Sequence, residues 1–305
     1  MKNILFTILI SCLSISAAQS VEVITVNSYT SAGSSVNNFY RRIFDQANQD
    51  QDQYQFVLVP KPGAQGFMAI NDMDQTPENK LVIISAGFVD LYLTDKIKKD
   101  DYIPINSAGN SCWVVITNRG NTKHGANSLK GQKEIFVGTI AKGSSAHFTA
   151  LVLGEKLGFQ STAVMFKSNV EALVLMAGDG SINMVVESPA NYLNWRDRKT
   201  DLQGIGINCP VRNPKLPEMQ TMHEQGFDVP SIWAFTVANR AMPEDKRKNI
   251  TRILDRSMRQ LGQDQIFQQF DYQLPISHGQ TTEQHYRQSL EQNERLRKKF
   301  ANELR

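Results

Sequence analysis

The sequence predicts an α/β fold built from two similar halves. Apolar runs typical of strands alternate with amphipathic helical patterns, which favours βαβ units with parallel strands. A Gly-Ser-Ser loop joins a strand to a helix once in each half. The length of 305 residues is enough for two lobes, and 41% hydrophobic with 21% charged residues fits a folded chain with a substantial core.

The first half begins with the strand pattern VEVITVNSY at residues 21–29. A helical pattern follows at residues 36–49, with Phe39, Ile43 and Phe44 on one face. Two further strands, YQFVLVP and KLVIISA, enclose the short helix GFMAINDMDQ. The strand CWVVITN and the loop RGNTKHGANS lead into the second half.

The second half begins with the strand EIFVGT, a Gly/Ser loop and a helix within GTIAKGSSAHFTALVLGEKLG, residues 138–158. The strand TAVMF, the helix SNVEALVLMAGDG and the strand INMVVES follow, and GIGINC returns as a strand. The remainder is predicted to be mostly helical, including MPEDKRKNITRILDRSMRQLG and the tail from Thr281.

The N-terminus predicts export. MKNILFTILISCLSISAAQS, residues 1–20, has one Lys, an apolar stretch and a small-residue end, as in a secretory signal peptide cleaved after Ala18 or Ser20. The alternative is a bacterial lipoprotein box, LISC, in which Cys12 carries a lipid anchor. Both interpretations place the protein in the periplasm. No other segment is long and apolar enough to cross a bilayer.

Export affects the interpretation of the remaining cysteines. Cys112 and Cys209 both lie in strand-like runs, and in an oxidising compartment they either pair or remain two buried thiols. Metal ligation is not expected, because none of the histidines is spaced like a ligand pair. We expect neither a metal nor a cofactor. The histidines are His124, His147, His223, His278 and His285.

Several classes of function are disfavoured. A net charge of +3 is too small to indicate nucleic acid, and RLRKKF near the C-terminus is interpreted as a solvated helix face. A nucleotide loop requires Gly-Lys-Ser, whereas the order here is Lys142-Gly143-Ser144. Ser144 and His147 could approach each other, but no G-x-S-x-G elbow surrounds the serine, so catalysis is not expected.

Anion capture fits the two loops better. Gly33-Ser34-Ser35 and Gly143-Ser144-Ser145 each lead from a strand into a helix. Such loops lie at the carboxyl ends of strands, where ligands bind in open α/β sheets. Either loop alone could be ordinary helix capping. Together they predict two helix N-termini directed at a shared cleft, where a carboxylate would accept from backbone N–H groups and serine hydroxyls.

The sequence resembles the Bug-type receptors, which are the periplasmic solute-binding proteins of tripartite tricarboxylate transporters. AGSSVNNFYRR offers Asn37 and Arg41 at the spacing of the family's first-loop Asp and Arg. KPGAQGFMAI fits its glycine-rich segment, and GTIAKGSSAHFTALVLGEKLGF fits its second loop and His-containing helix start. LPEMQTMHEQGFDVPSIWAFTVANRAMPEDKRKNITRIL matches a Pro-x-x-Pro-Thr-x-x-Glu-x-Gly … Trp … Pro signature, with Gln220 in place of the second Pro.

The resemblance implies a two-lobed periplasmic binding protein fold of type II with a ligand cleft between the lobes. It implies a small carboxylate ligand and delivery to a two-subunit membrane permease, with no catalysis. The first lobe would comprise residues 21–113 plus 211–305, and the second residues 114–210. The hinge strands would then bring Cys112 and Cys209 together, which favours a disulfide. The alternative is an exported sensor or adaptor that presents a ligand to a membrane receptor.

The expected ligand contacts come from both loops and from two neighbouring segments. They are Ser34, Ser35, Asn37, Gly63, Gly66, Lys142, Gly143, Ser144, Ser145, His147, Glu187 and Ser188.

Overall fold

A computed structural model describes residues 21–120, 123–198, 201–273 and 280–304. The predicted signal peptide and the possible lipid site at Cys12 lie outside these residues. The chain forms two mixed sheets, one of six strands and one of five, with helices packed on them. None of the described helices is long and apolar enough to cross a membrane.

The first sheet is built around a parallel core. Its strands are β1 (Glu22–Ser28), β2 (Tyr54–Pro60), β3 (Lys80–Ile84), β4 (Tyr102–Ser111), β10 (Ile232–Asn239) and β11 (Tyr272–Gln273). The spatial order is β11-β4-β10-β3-β1-β2. Strand β1 pairs in parallel with β2 and β3, whereas β10 runs antiparallel to both β3 and β4.

The second sheet repeats this arrangement on a smaller scale. Its strands are β5 (Trp113–Thr117), β6 (Glu134–Thr139), β7 (Gln160–Met165), β8 (Met184–Glu187) and β9 (Gln203–Asn208), in the order β7-β6-β8-β5-β9. Strand β6 is parallel to β7 and β8, and β5 is antiparallel to β8 and β9. Strands β1 and β6 therefore hold equivalent positions, and the loop after each leads into a helix.

The helices connect the strands and cover the sheets. They are α1 (Ser35–Asp50), α2 (Phe67–Gln75), α3 (Gly87–Leu93), α4 (Ser145–Leu157), α5 (Asn169–Gly178), α6 (Pro189–Arg196), α7 (Glu244–Leu261), α8 (Gln263–Phe270) and α9 (Thr282–Lys299). Helix α1 buries Phe39, Ile43 and Phe44, the predicted apolar face, and α4 is buried along most of its length. This packing of α1 and α4 on the sheets fixes the directions of their N-termini.

The prediction that the C-terminal part of the chain is mostly helical missed a strand. Residues Ile232–Asn239 form β10, a strand in the interior of the first sheet. The segment IWAFTVAN is almost fully buried, so it shows no polar alternation that would identify a strand. The sheets are therefore mixed, with antiparallel strands beside the expected parallel units.

The two sheets are joined at the disulfide. Cys112 lies between the end of β4 and the start of β5, so the chain passes there from the first sheet to the second. Its sulfur is bonded to that of Cys209, which follows β9, and the two Cα atoms are 4.6 Å apart. Both cysteines are buried. The backbone N–H of Cys112 also donates to the carbonyl of Asp271, at 2.8 Å.

The chain beyond Cys209 contacts both sheets. Leu216, Met222 and Phe227 belong to the apolar clusters packed on the second sheet, whereas β10 completes the first. Helix α9 buries Tyr286 and Leu290 against the first sheet, and Phe300, directly after it, enters the core of the second. The last turn of α9 therefore lies where the two halves meet.

Candidate functional site

The loop after β1 is organised by serine and threonine hydroxyls. Ser34 is the N-cap of α1, and its Oγ accepts from the amide of Asn37 at 3.2 Å. The same Oγ is 2.7 Å from Oγ1 of Thr30. Within the described residues, the first-turn amides of Ser35 and Val36 have no acceptor. They are the unsatisfied donors that any helix start presents.

The loop after β6 reproduces this geometry. Ser144 is the N-cap of α4, its Oγ accepts from the amide of His147 at 3.2 Å, and it lies 2.7 Å from Oγ1 of Thr139. In the described part of the chain, the amides of Ser145 and Ala146 have no acceptor. The Gly-Ser-Ser repeat of the sequence thus corresponds to two matched helix starts.

Both helix starts line one cavity of about 280 Å³ between the two sheets. Ser35 and Val36 form part of its wall on one side, and Ser145 and Ala146 on the other. The loop after β3 and four aromatic side chains complete the wall, which is mainly apolar with a few polar groups, as is usual for small-molecule sites. The aromatic residues are Tyr29, Trp113, Trp233 and Tyr272.

Half of the residues expected to contact the ligand line this cavity. They are Ser34, Ser35, Lys142, Gly143, Ser144 and Ser145. Gly143 has a φ of +71°, and a Cβ there would come within 2.5 Å of Nη1 of Arg297. Glycine at this position lets the second loop pack directly against the guanidinium.

Two further residues expected to contact the ligand do not line the cavity and instead bond to the backbone of the loops. Asn37 is fully buried, and its Nδ2 donates to the carbonyls of Thr30 at 3.2 Å and Ser31 at 2.7 Å. His147 occupies the equivalent position on α4, and its Nδ1 accepts from the amide of Gly143 at 3.0 Å. Each side chain therefore holds its loop in shape.

The other expected residues lie outside the cavity wall. Gly63 and Gly66 flank Gln65, which does line it. Ser188 caps α6 by accepting from the amide of Asn191, and the Ser188 amide donates to the carboxylate of Glu187 at 2.6 Å. Burial raises the pKa of Glu187, and hydrogen bonds from Ser188, Asn191 and Asn169 oppose that effect.

Arg297, which sequence reasoning missed, connects both halves at the cavity. Its Nη1 donates to the carboxylate of Asp90 on α3, and its Nη2 donates to the carbonyls of Gly143 at 2.8 Å and Ala86 at 3.3 Å. The guanidinium also lies 5.4 Å from the ring centroid of Phe148. Arg297 is only 7% exposed, so its guanidinium is largely shielded from solvent.

The interpretation of RLRKKF as a solvated face is wrong for this arginine. Arg295, Lys298 and Lys299 are exposed, but Arg297 is not. The buried positions of α9 follow a spacing of three, four and three residues through Leu290, Asn293, Arg297 and Phe300. This helical stripe is the signal in the sequence that could have identified Arg297.

The charged residues that line the cavity are Asp90, Lys142 and Arg297. Burial raises the pKa of Asp90, and the guanidinium of Arg297 opposes that effect. The balance is one acid to two bases, and the four unpaired amides add partial positive charge at the helix starts. The cavity therefore favours an anion. No described group of three His, Cys, Asp or Glu side chains could hold a metal ion.

The pKa of His147 predicts a measurable pH dependence of stability. Burial lowers this pKa to about 4, with help from the charges of Lys142 and Arg297 and against the charge of Glu303. Between pH 6.5 and 4 the unfolded chain binds a proton at this position that the folded chain does not, so stability falls as the pH falls. We expect a loss of about 2–3 kcal/mol between pH 7 and pH 4 from this group.

Chemical denaturation at several pH values would measure it, with His147→Asn as the matched variant. The amide oxygen of Asn can still accept from the Gly143 amide but does not titrate. The variant should show a shallower decline between pH 6.5 and 4, because the other acids and bases are common to both proteins. An identical decline in both proteins would contradict the prediction.

The chain has the two-lobed fold of the type II periplasmic binding proteins. This fold class is defined by the two sheets, by the passage of the chain between them and by the cavity between the matched helix starts. No family model matches the sequence, and none of the curated proteins is significantly similar to it. The fold is shared with solved structures. The periplasmic binding protein BugD has 16% identity and a TM-score of 0.70, over 92% of this chain and 97% of that one.

Two further solved structures carry ligands. MatC from Rhodopseudomonas palustris, with bound malate, has 17% identity and a TM-score of 0.69, over 90% of this chain and 98% of that one. A second R. palustris protein, with adipate, has 16% identity and a TM-score of 0.71, over 91% of this chain and 96% of that one. The resemblance to Bug-type receptors predicted from the sequence is confirmed at the level of the fold.

Proposed function

We propose that the protein is a periplasmic solute-binding protein that captures a small carboxylate and delivers it to a two-subunit membrane permease. In this proposal it acts by binding alone and is not an enzyme. The export signal predicted at the N-terminus supports the location, and the cavity between the sheets supports the binding role.

The matched helix starts are the observation that carries the proposal. The free amides of Ser35, Val36, Ser145 and Ala146 belong to residues that line the same cavity. A carboxylate oxygen is an acceptor for such amides and is favoured by the positive end of each helix. One carboxylate at each helix start, or one carboxylate reached by both, would satisfy these donors.

The charge of the cavity and the solved structures support the same ligand class. Lys142 and Arg297 outnumber Asp90 on the wall. Malate and adipate, bound in two proteins of this fold, are both small dicarboxylates. A cavity of about 280 Å³ accommodates molecules of that size and is small for a nucleotide or a peptide.

Hinge motion would give the ligand access. In this proposal the two sheets form the centres of two lobes that open and close about the crossover at Cys112. The disulfide to Cys209 ties the two crossover strands together, so the hinge would stay ordered during the motion. Closure would bring the two helix starts onto the ligand from opposite sides.

We expect the double variant Ser34→Ala/Ser144→Ala to lose at least about tenfold in carboxylate affinity, because both serines line the cavity and shape the loops there. Isothermal titration calorimetry with the carboxylates that stabilise the wild type would measure this. A thermal-shift panel of di- and tricarboxylates, aromatic acids and amino acids would first identify them, since a ligand at 1,000 times its Kd adds about 4 kcal/mol of stability.

The matched control is Thr281→Ala. Thr281 caps α9 in the same way, accepting from the amide of Gln284 at 3.2 Å, but it lies away from the cavity wall. Each lost cap should cost about 1 kcal/mol of stability, in the control and in the double variant alike. Only the double variant should lose affinity for the carboxylate. An unchanged affinity in the double variant would place the ligand elsewhere, and the absence of a thermal shift with every carboxylate would overturn the proposed ligand class.

A further inference from the structure

Helix α9 is fastened to the first sheet along most of its length. Nδ1 of His285 lies 2.8 Å from Oγ of Ser107, on β4. Leu290 packs in an apolar cluster of the first sheet. Further along the helix, the carboxylate of Glu294 accepts from the hydroxyl of Tyr92, on α3, at 2.6 Å. The helix therefore moves with the half of the molecule that contains the first sheet.

The end of the same helix and the residues after it are fastened to the second sheet. Phe300 is buried in the apolar core of that sheet, with its ring centroid 6.4 Å from that of Phe148 on α4. Leu304 packs against the same core. Lys299 also pairs with Glu155 on α4 at 2.5 Å, but both side chains are exposed, so this pair contributes little. Burial of the Phe300 ring is therefore the main anchor on this side.

Between these two anchors, Arg297 joins the halves beside the cavity. Its Nη2 donates to the carbonyl of Ala86, after β3, at 3.3 Å and to that of Gly143, in the loop after β6, at 2.8 Å. Its Nη1 donates to the carboxylate of Asp90. Gly143 directly precedes Ser144, the N-cap of α4. The start of α4 therefore cannot move away from the first sheet unless bonds of Arg297 break.

These contacts form a third link between the halves. The chain itself passes from one sheet to the other after β4 and again after β9. Opening about these crossovers would have to withdraw Phe300 from the core of the second sheet or break the charge-assisted bonds of Arg297. Both changes cost free energy, and the groups concerned all belong to the protein. The contacts therefore favour the closed arrangement whether or not a ligand is bound.

We propose that residues 282–304, defined here as the strap, hold the two halves closed without ligand and thereby set the rate of ligand exchange. The effect on exchange rests on the proposed function, whereas closure by the strap does not. Because a ligand enters through the open form, its association rate scales with the fraction of open molecules. Release of the strap should raise the rate constants of association and dissociation together and change Kd less than either.

Small-angle X-ray scattering of the purified protein, unfolded and refolded to remove any bound ligand, tests closure. The wild-type curve should match the curve calculated from the closed structure. Phe300→Ala should give a larger radius of gyration, because the strap loses its anchor in the second sheet. Leu153→Ala is the matched control: Leu153 is fully buried in the same core but lies on α4, so its loss leaves a cavity without loosening the strap. Its radius of gyration should equal that of the wild type.

Two further measurements extend the test. Arg297→Leu releases the strap by a different chemistry and should also enlarge the ligand-free protein, whereas Arg295→Leu, at an exposed position of the same helix, should not. Stopped-flow mixing with malate, the ligand of one solved structure of this fold, measures exchange. Phe300→Ala should raise both rate constants at least about threefold over the wild type and over Leu153→Ala.

The outcomes separate the strap from the function of the protein. A ligand-free wild type that scatters as an open molecule would overturn the proposal, even if no variant folds. Radii of gyration in Phe300→Ala and Arg297→Leu equal to those of their controls would show that the strap does not hold the halves closed. Equal exchange rates in Phe300→Ala and Leu153→Ala would overturn its control of exchange. Failure of malate and every other carboxylate to bind would overturn the proposed ligand class, and the scattering comparison would still decide closure.

Discussion

Removal of the Cys112–Cys209 disulfide should lower the free energy of unfolding by about 4–5 kcal/mol at 25 °C, since the bond closes a loop with a sequence separation of 97 residues. The physical reason is that the bond restricts the unfolded chain far more than it restricts the native one. It also joins the two strands through which the chain passes between the sheets. Denaturant unfolding of Cys112→Ala/Cys209→Ala beside the wild type would measure the loss.

Reduction supplies the internal control. The wild type in excess reductant should unfold at nearly the same denaturant midpoint as the double alanine variant, and the variant should not respond to reductant. Both cysteines are buried, so reduction should begin after partial unfolding. A wild-type protein whose midpoint is the same with and without reductant would show that the bond contributes nothing to stability.

Replacement of Arg297 by leucine should cost about 3 kcal/mol of stability, because it removes one partner of a largely buried ion pair. The carboxylate of Asp90 would lose its partner, and the carbonyl of Gly143 would lose a 2.8 Å bond. The contact between the last turn of α9 and both halves would be lost with it. Denaturant unfolding would measure the change, and ligand affinity should fall as well.

Two variants serve as controls, one for the loss of an arginine side chain and one for the Arg297–Asp90 ion pair. Arg295→Leu removes an exposed arginine from the same helix and should change stability by no more than about 0.5 kcal/mol. Arg297→Leu/Asp90→Asn removes both charges and should recover part of the loss, because no unpaired carboxylate remains buried. A single Arg297→Leu variant as stable as Arg295→Leu would show that the guanidinium does not connect the two halves energetically.

The two loops could be predicted because their signals are local. An N-cap serine bonds to an amide three residues further on, so Ser34 and Ser144 are recognisable from the sequence around each one. The roles of Asn37 and His147 could not be predicted in the same way. Both are close in sequence to the loops, and only the folded chain shows that their side chains bond to the loop backbone behind the cavity wall.

Residues that reach the cavity from distant segments gave no local signal. Trp233 lies on β10, in a run whose uniform burial leaves no pattern that distinguishes strand from helix. Arg297 is surrounded by exposed basic residues, and its burial depends on the acid of Asp90, 207 positions earlier. Partners so far apart in the chain become neighbours only when the sheets are assembled.

By itself, the sequence determined the strand–loop–helix units and the matched serine caps, and it predicted an export signal and a resemblance to a family of binding proteins. These properties depend on interactions within a few residues, or on composition. Only the tertiary structure decided that both caps line one cavity, that Cys112 and Cys209 are bonded, and that Arg297, Trp233 and Asn169 line the same cavity. These depend on the packing of two sheets whose strands switch from one sheet to the other at two points along the chain, after β4 and after β9, which no local pattern encodes.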